Sequence, residues 1–115
     1  MFEVVKRDGQ VTEFNLGKIN DAIAKAFDAT QMSYNDDIIG LLSLRVSAHF
    51  QDKIKDGKVS VEAIQDSVET VLEQTGYTEV AKAYILYRKQ REKMRNMKST
   101  ILDYKDVINS YVTVS

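Results

Sequence analysis

An α+β fold, a four-helix bundle capped by a small β-hairpin or three-stranded sheet, is the architecture that the sequence predicts. Two short β-prone runs flank Asp8-Gly9, and four later stretches repeat apolar residues at three- and four-residue spacing without any proline in the chain. A length of 115 residues leaves room for one core of this kind and no second catalytic domain.

The hairpin comes first. Residues 2–14 read as strand, turn and strand, with Phe2-Glu3-Val4-Val5-Lys6 and Val11-Thr12-Glu13-Phe14 on either side of the Asp-Gly pair. Asn15 then stands where a helix cap belongs, and Ile19, Ala22, Ile23, Ala26 and Phe27 line one face of the first helix. Residues 28–35 have loop composition, with Asn35 or Ser33 as the start of a second helix. Its stripe of Ile38, Ile39, Leu42, Val46, His49, Phe50 and Ile54 keeps the 3.6 period to Lys55, and Gly57 is the expected terminator. Val59 reads as a short third strand. Ser60 is a polar cap for a third helix carrying Ile64, Val68, Val71 and Leu72 as far as Thr75-Gly76. The fourth starts at Thr78 with Val80, Ala81, Tyr84 and Ile85 and runs into a basic stretch. Beyond Ser99-Thr100 a linker or small helix is expected.

Several chemistries are excluded outright. The chain has no cysteine, so disulfides, thiolate zinc sites, iron–sulfur clusters and a cysteine nucleophile are absent. His49 is the single histidine, and no phosphate-loop or nucleophile-elbow motif occurs, so catalysis is not expected. On the apolar stripe between Val46 and Phe50, that histidine is expected as a satisfied or partly buried core residue rather than a ligand. Tyr84 and Tyr87 are expected as core or interface aromatics. No apolar run approaches the roughly 18 residues that span a bilayer. The opening Met-Phe-Glu-Val-Val-Lys-Arg lacks the shape of a signal peptide, so a cytoplasmic location with no membrane partner is the expectation.

The net charge of −1 conceals an uneven distribution. Residues 82–98 hold seven of the 16 basic side chains against Glu92 alone, while residues 30–80 hold nine acids against four bases. Without an overall basic field, long nucleic acid is not an expected partner, and any anion site has to be local. Cations near a helix C-terminus are ordinarily a solvated face that complements the dipole. Lys6 and Arg7 before the hairpin turn and Lys18 at the start of the first helix supply the converging charges that a polyphosphate site needs.

The segments Val5-Lys6-Arg7-Asp8-Gly9, Phe14-Asn15-Leu16-Gly17-Lys18-Ile19 and Ala22-Ile23 resemble the ATP-cone, the regulatory nucleotide-binding domain of many ribonucleotide reductases. Val59-Ser60-Val61-Glu62-Ala63-Ile64-Gln65-Asp66 and Val80-Ala81-Lys82-Ala83-Tyr84-Ile85-Leu86-Tyr87-Arg88 are similar to the second half of that domain, in order and in spacing. The resemblance covers residues 3–95 and leaves 96–115 as a linker or the start of a following reductase segment. It implies a nucleotide beneath the hairpin cap, with the backbone at Val4 and the Lys6 side chain at the base and Arg7 at the phosphates. Asn15 and Lys18 would follow at the first helix, Gln65 on the third, and Arg88 and Lys89 on the last. The implied ligands are ATP or dATP with Mg2+ as counter-ion, ATP activating and dATP inhibiting. The implied partners are the catalytic domain of the reductase and, with nucleotide bound, further copies of the same chain.

Gln65 stands where some relatives have histidine, and Thr12 where an acid can occur. Asn15 also reads as a simple cap, Lys18 as a first-turn surface lysine, Gln65 as a solvated helix residue and Lys89 as part of the basic face. The tail from Ser99 to Asp106, with Tyr111 beyond, is similar to the junction in anaerobic, glycyl-radical ribonucleoside-triphosphate reductases. An aerobic large subunit is the alternative. A reductase-gene repressor fits less well, since its cysteine zinc ribbon is missing. The rival class is a helical domain that binds an acidic protein surface or nucleic acid.

Overall fold

A computed structural model describes residues 2–112, with side chains through Lys98. Three strands and four helices follow in the order β1 (Glu3–Val5), β2 (Val11–Glu13), α1 (Leu16–Thr30), α2 (Asp36–His49), β3 (Lys58–Ser60), α3 (Val61–Gln74) and α4 (Thr78–Val112), with one 3-10 turn at Gln51–Lys53. The expected α+β architecture is therefore present. The chain forms two compact units, Met1–Ile85 and Leu86–Ser115, and the core and the hairpin belong to the first.

Local signals set the helix starts. Asn15 Oδ1 accepts from the Gly17 amide at 2.9 Å, Asn35 Oδ1 from Ile38 at 2.8 Å, and Ser60 Oγ from Ala63 at 3.1 Å. Each satisfies a first-turn N–H that has no partner within the helix. Ile23, Phe27, Val46, Phe50, Leu72 and Val80 are completely sequestered at the centre of the bundle, and Tyr84 joins them at 5% exposure.

The sheet has the order β2-β1-β3, with β1 antiparallel to β2 and parallel to β3. Val4 pairs with Thr12 on one side and Val59 on the other. Val4 and Val59, at 8% and 2% exposure, turn one face of this small sheet onto the helices. At its base, Phe2 lies 4.5 Å from Phe14 between ring centroids, and both lie within 5.8 Å of Phe50.

That cluster explains two departures from expectation. Helix α2 stops at His49 instead of Lys55, because Phe50 is seated against the hairpin and its amide bends back to Val46 and Ala48. The chain then folds over. Lys55 and Lys58 exchange both backbone hydrogen bonds, at 2.8 and 3.0 Å, across Asp56 and Gly57 with φ of +54° and +72°. This is the tight turn that positive φ at both central residues permits, so Gly57 belongs to the turn that leads into β3 rather than ending α2. His49 is correspondingly exposed rather than in the core, with Nδ1 2.9 Å from the hydroxyl of the buried Ser67.

Residues 96–112, expected as linker or small helix, continue α4, and residues 113–115 lie outside the described residues. Helix α4 takes its first turns in the first unit and continues through the second.

Candidate functional site

The hairpin tip is a fixed structure. Lys6 N–H donates to Gln10 O at 2.7 Å, Gly9 N–H donates to Lys6 O at 3.0 Å, and the Asp8 carboxylate accepts from the Gln10 amide at 3.0 Å. Gly9 closes the turn at φ +87°, a conformation that side chains with a Cβ resist. Lys6, Arg7 and Asp8 are all exposed on this tip.

Parallel pairing then decides what Arg7 meets. Val5 pairs with Ser60, so β1 and β3 end side by side and point the same way. Two residues past Val5 comes Arg7, and two residues past Ser60 comes Glu62 in the first turn of α3. Arg7 Nε lies 3.3 Å from Glu62 Oε1, and Arg7 Nη2 donates to Gln65 Oε1 at 3.2 Å. Glu62 and Gln65 share one face of α3 because they are three residues apart. The side chains of Arg7 and Glu62 are 27% and 41% exposed, which leaves the pair open to water and to a competing anion.

The expected site residues fall into four groups. Arg7 and Gln65 are in contact, and Lys6 adjoins them on the tip. Val4 directs its side chain into the core, leaving only its backbone for any ligand. That backbone is engaged as well: the hydrogen bonds at Lys6–Gln10 and Phe2–Phe14 make Val4–Thr12 the intervening bonded pair of the antiparallel ladder. Asn15 commits its side-chain oxygen to capping α1, and Lys18 is exposed in the first turn, its amide donating to Asn15 O at 3.1 Å. Arg88 and Lys89 belong to the second unit, half-buried and exposed respectively. In that unit Arg91 stacks over Tyr87 at 5.9 Å.

Glu62 was not among the residues that the sequence marked. The available signal was an acid just inside a Ser-capped helix, which ordinarily serves the helix dipole. The register that brings it to Arg7 joins segments far apart in the chain. Among the described residues, no group of three or more His, Cys, Asp or Glu side chains is arranged to hold a metal ion. No helix among them is long and apolar enough to cross a membrane.

Comparison with known proteins adds an independent finding. The ATP cone domain family matches residues 2–93. A vitamin B12-dependent ribonucleoside-diphosphate reductase of Thermoplasma acidophilum is 43% identical over 101 residues, covering 84% of this chain and 13% of that protein. The ribonucleoside-diphosphate reductase subunit alpha of Chlamydia trachomatis is 37% identical, covering 81% of this chain and 10% of its own length. An anaerobic ribonucleoside-triphosphate reductase of Haemophilus influenzae is 35% identical over 103 residues, covering 87% and 14%. The chain thus spans only 10–14% of the length of these three relatives.

Proposed function

The chain belongs to the ATP-cone family, and from that membership we propose that it is an allosteric adenine-nucleotide sensor of a ribonucleotide reductase. The observation that carries this reading is the placement of Arg7. A guanidinium stands on a rigid turn, partly exposed, beside Lys6 and over the start of α3. Guanidinium and ammonium groups in such positions bind phosphate oxygens by charge-assisted hydrogen bonds. In this reading Lys6 meets the base while Arg7 and Lys18 meet the phosphates, with Mg2+ arriving on them.

ATP activates and dATP inhibits in this proposal. The ligands differ by one 2′-hydroxyl, and a ligand shifts an equilibrium only through its differential affinity for two states. The output is a change in oligomerisation or in contact with a catalytic domain, in the cytoplasm. Chemistry resides in that domain, and the sensor performs none. Of the reductase classes among the relatives, the anaerobic one is proposed as the parent on the sequence of the tail from Ser99 to Asp106, whose side chains lie outside the described residues. The sensor role is the same for each class.

Calorimetric titration with ATP, dATP and GTP in magnesium buffer, with the mass of each mixture measured, tests the reading. Saturable binding that prefers adenine is the expected result, with a mass change on dATP. Arg7→Ala should weaken ATP binding about tenfold to a hundredfold, the loss expected for a hydrogen bond to a charged group. Lys6→Ala should weaken it as well, and the helical circular dichroism should not change in either variant. A folded protein that binds none of the three nucleotides overturns the proposal.

A further inference from the structure

We propose that the Glu62 carboxylate is an intramolecular competitor for the nucleotide phosphates at Arg7, and so sets the affinity of the site. This rests on the nucleotide-sensor reading and deepens it. Arg7 Nε lies 3.3 Å from Glu62 Oε1 in an ion pair, and Arg7 Nη2–H donates to Gln65 Oε1 at 3.2 Å. Nε and Nη2 form the side edge of the guanidinium, the edge that offers two parallel N–H groups to one phosphate or carboxylate. Glu62 and Gln65 therefore occupy the edge that a bidentate phosphate requires. A nucleotide engages this edge only by displacing them.

The pair is suited to exchange. Its side chains are 27% and 41% exposed, so opening it does not strand a buried charge, and a partly hydrated ion pair is weak. A triphosphate offers more charge and more acceptor oxygens to the same donors. Once displaced, Glu62 stands as a negative charge beside the negative ligand, which opposes binding a second time. The first effect weakens and the second vanishes when Glu62 is neutral. Gln65 is neutral and contributes to the first alone. The competition also joins site occupancy to α3, since the side chain that Arg7 releases is in that helix's first turn.

Glu62→Gln preserves size and a carbonyl acceptor while removing the charge. Calorimetric titration of this variant with ATP at fixed ionic strength should give binding about three- to tenfold tighter than the unmodified chain. In 15N-edited NMR the Arg7 Nε–H signal, assigned by its loss in Arg7→Lys, should differ between the two proteins without nucleotide and converge at saturating ATP. ATP affinity that is unchanged or weaker in Glu62→Gln overturns the proposal and makes Glu62 a support for Arg7. ATP binding that leaves the Arg7 signal unmoved overturns it too, because Arg7 then keeps its partners. If neither protein binds ATP although both are folded, the sensor reading itself fails and the competitor role fails with it.

Discussion

At the base of the hairpin, Phe2 and Phe14 lie 4.5 Å apart and close on the fully buried Phe50, whereas at the tip Arg7 is held by a carboxylate at 3.3 Å and an amide oxygen at 3.2 Å. Three residue pairs of strand separate the two ends. Apolar burial holds the base, and no soluble ion competes with it. Partly solvated polar contacts hold the tip, and in the proposed mechanism an anion competes with them directly. A sensor gains from this division: the cap stays on the bundle while the side chains at its far end change partners. In the proposed sensor, the arrangement assigns stability to one end of the hairpin and ligand response to the other.

The division breaks most visibly at Phe50. Phe50→Ala removes a ring at 0% exposure that anchors both Phe2 and Phe14, and should lower unfolding free energy by about 3–5 kcal/mol in urea titration. Loss below about 1 kcal/mol, the level of a surface substitution, would mean that the base is not the anchor. Arg7→Ala is the opposite case. It should change stability by less than about 1 kcal/mol, because the pair it breaks is partly solvated, while removing most of the nucleotide affinity.

Gly9→Ala comes next. A Cβ at this position meets nothing within 4 Å, so the substitution is sterically free and its effect isolates the φ of +87°. The expected loss is about 1 kcal/mol, the strain of a left-handed residue with a side chain. ATP binding should weaken with it, since the turn positions Lys6 and Arg7. Unchanged stability with weakened binding would show that the tip relaxes to another turn and that its geometry serves the ligand alone.

The two ends also differ in how far the sequence discloses them. Helix starts were legible because their signals are local: Asn15, Asn35 and Ser60 each bond an amide within three residues. The Asp8-Gly9 turn was legible for the same reason. The end of α2 was not, because the apolar period continues to Ile54 while Phe50 is held by aromatic rings from the first strand pair. Gly57 reads equally as a helix stop and as a hairpin glycine, and only the positive φ of Asp56 beside it decides. Within the site, resemblance marked Arg7 and Gln65, which the structure brings into contact. Glu62 escaped notice because its meeting with Arg7 depends on parallel pairing of β1 with β3, a non-local register that no pattern within either strand encodes.

The smallest effect is expected away from both ends, in the turn between α1 and α2, and it calibrates the comparison. The Tyr34 hydroxyl donates to Asp28 Oδ1 at 2.8 Å. This hydrogen bond, desolvation, and the charges of Asp28 and Asp36 raise the Tyr34 pKa above its ordinary value of 10.0. A raised pKa means that the fold favours the protonated phenol, so the stabilisation is complete below the unfolded-state value and declines as pH rises through the folded-state value. Urea midpoints of the parent chain and of Tyr34→Phe should therefore keep a constant separation from pH 7 to 9 and draw together above about pH 10. Saturating ATP should leave that convergence where it is, because the bond touches neither the aromatic base nor the Arg7 tip. A shift with ATP would mean that nucleotide binding reaches the turn between α1 and α2. The separation between a fixed base and a responsive tip would then have to be redrawn to include the first two helices among the parts that move.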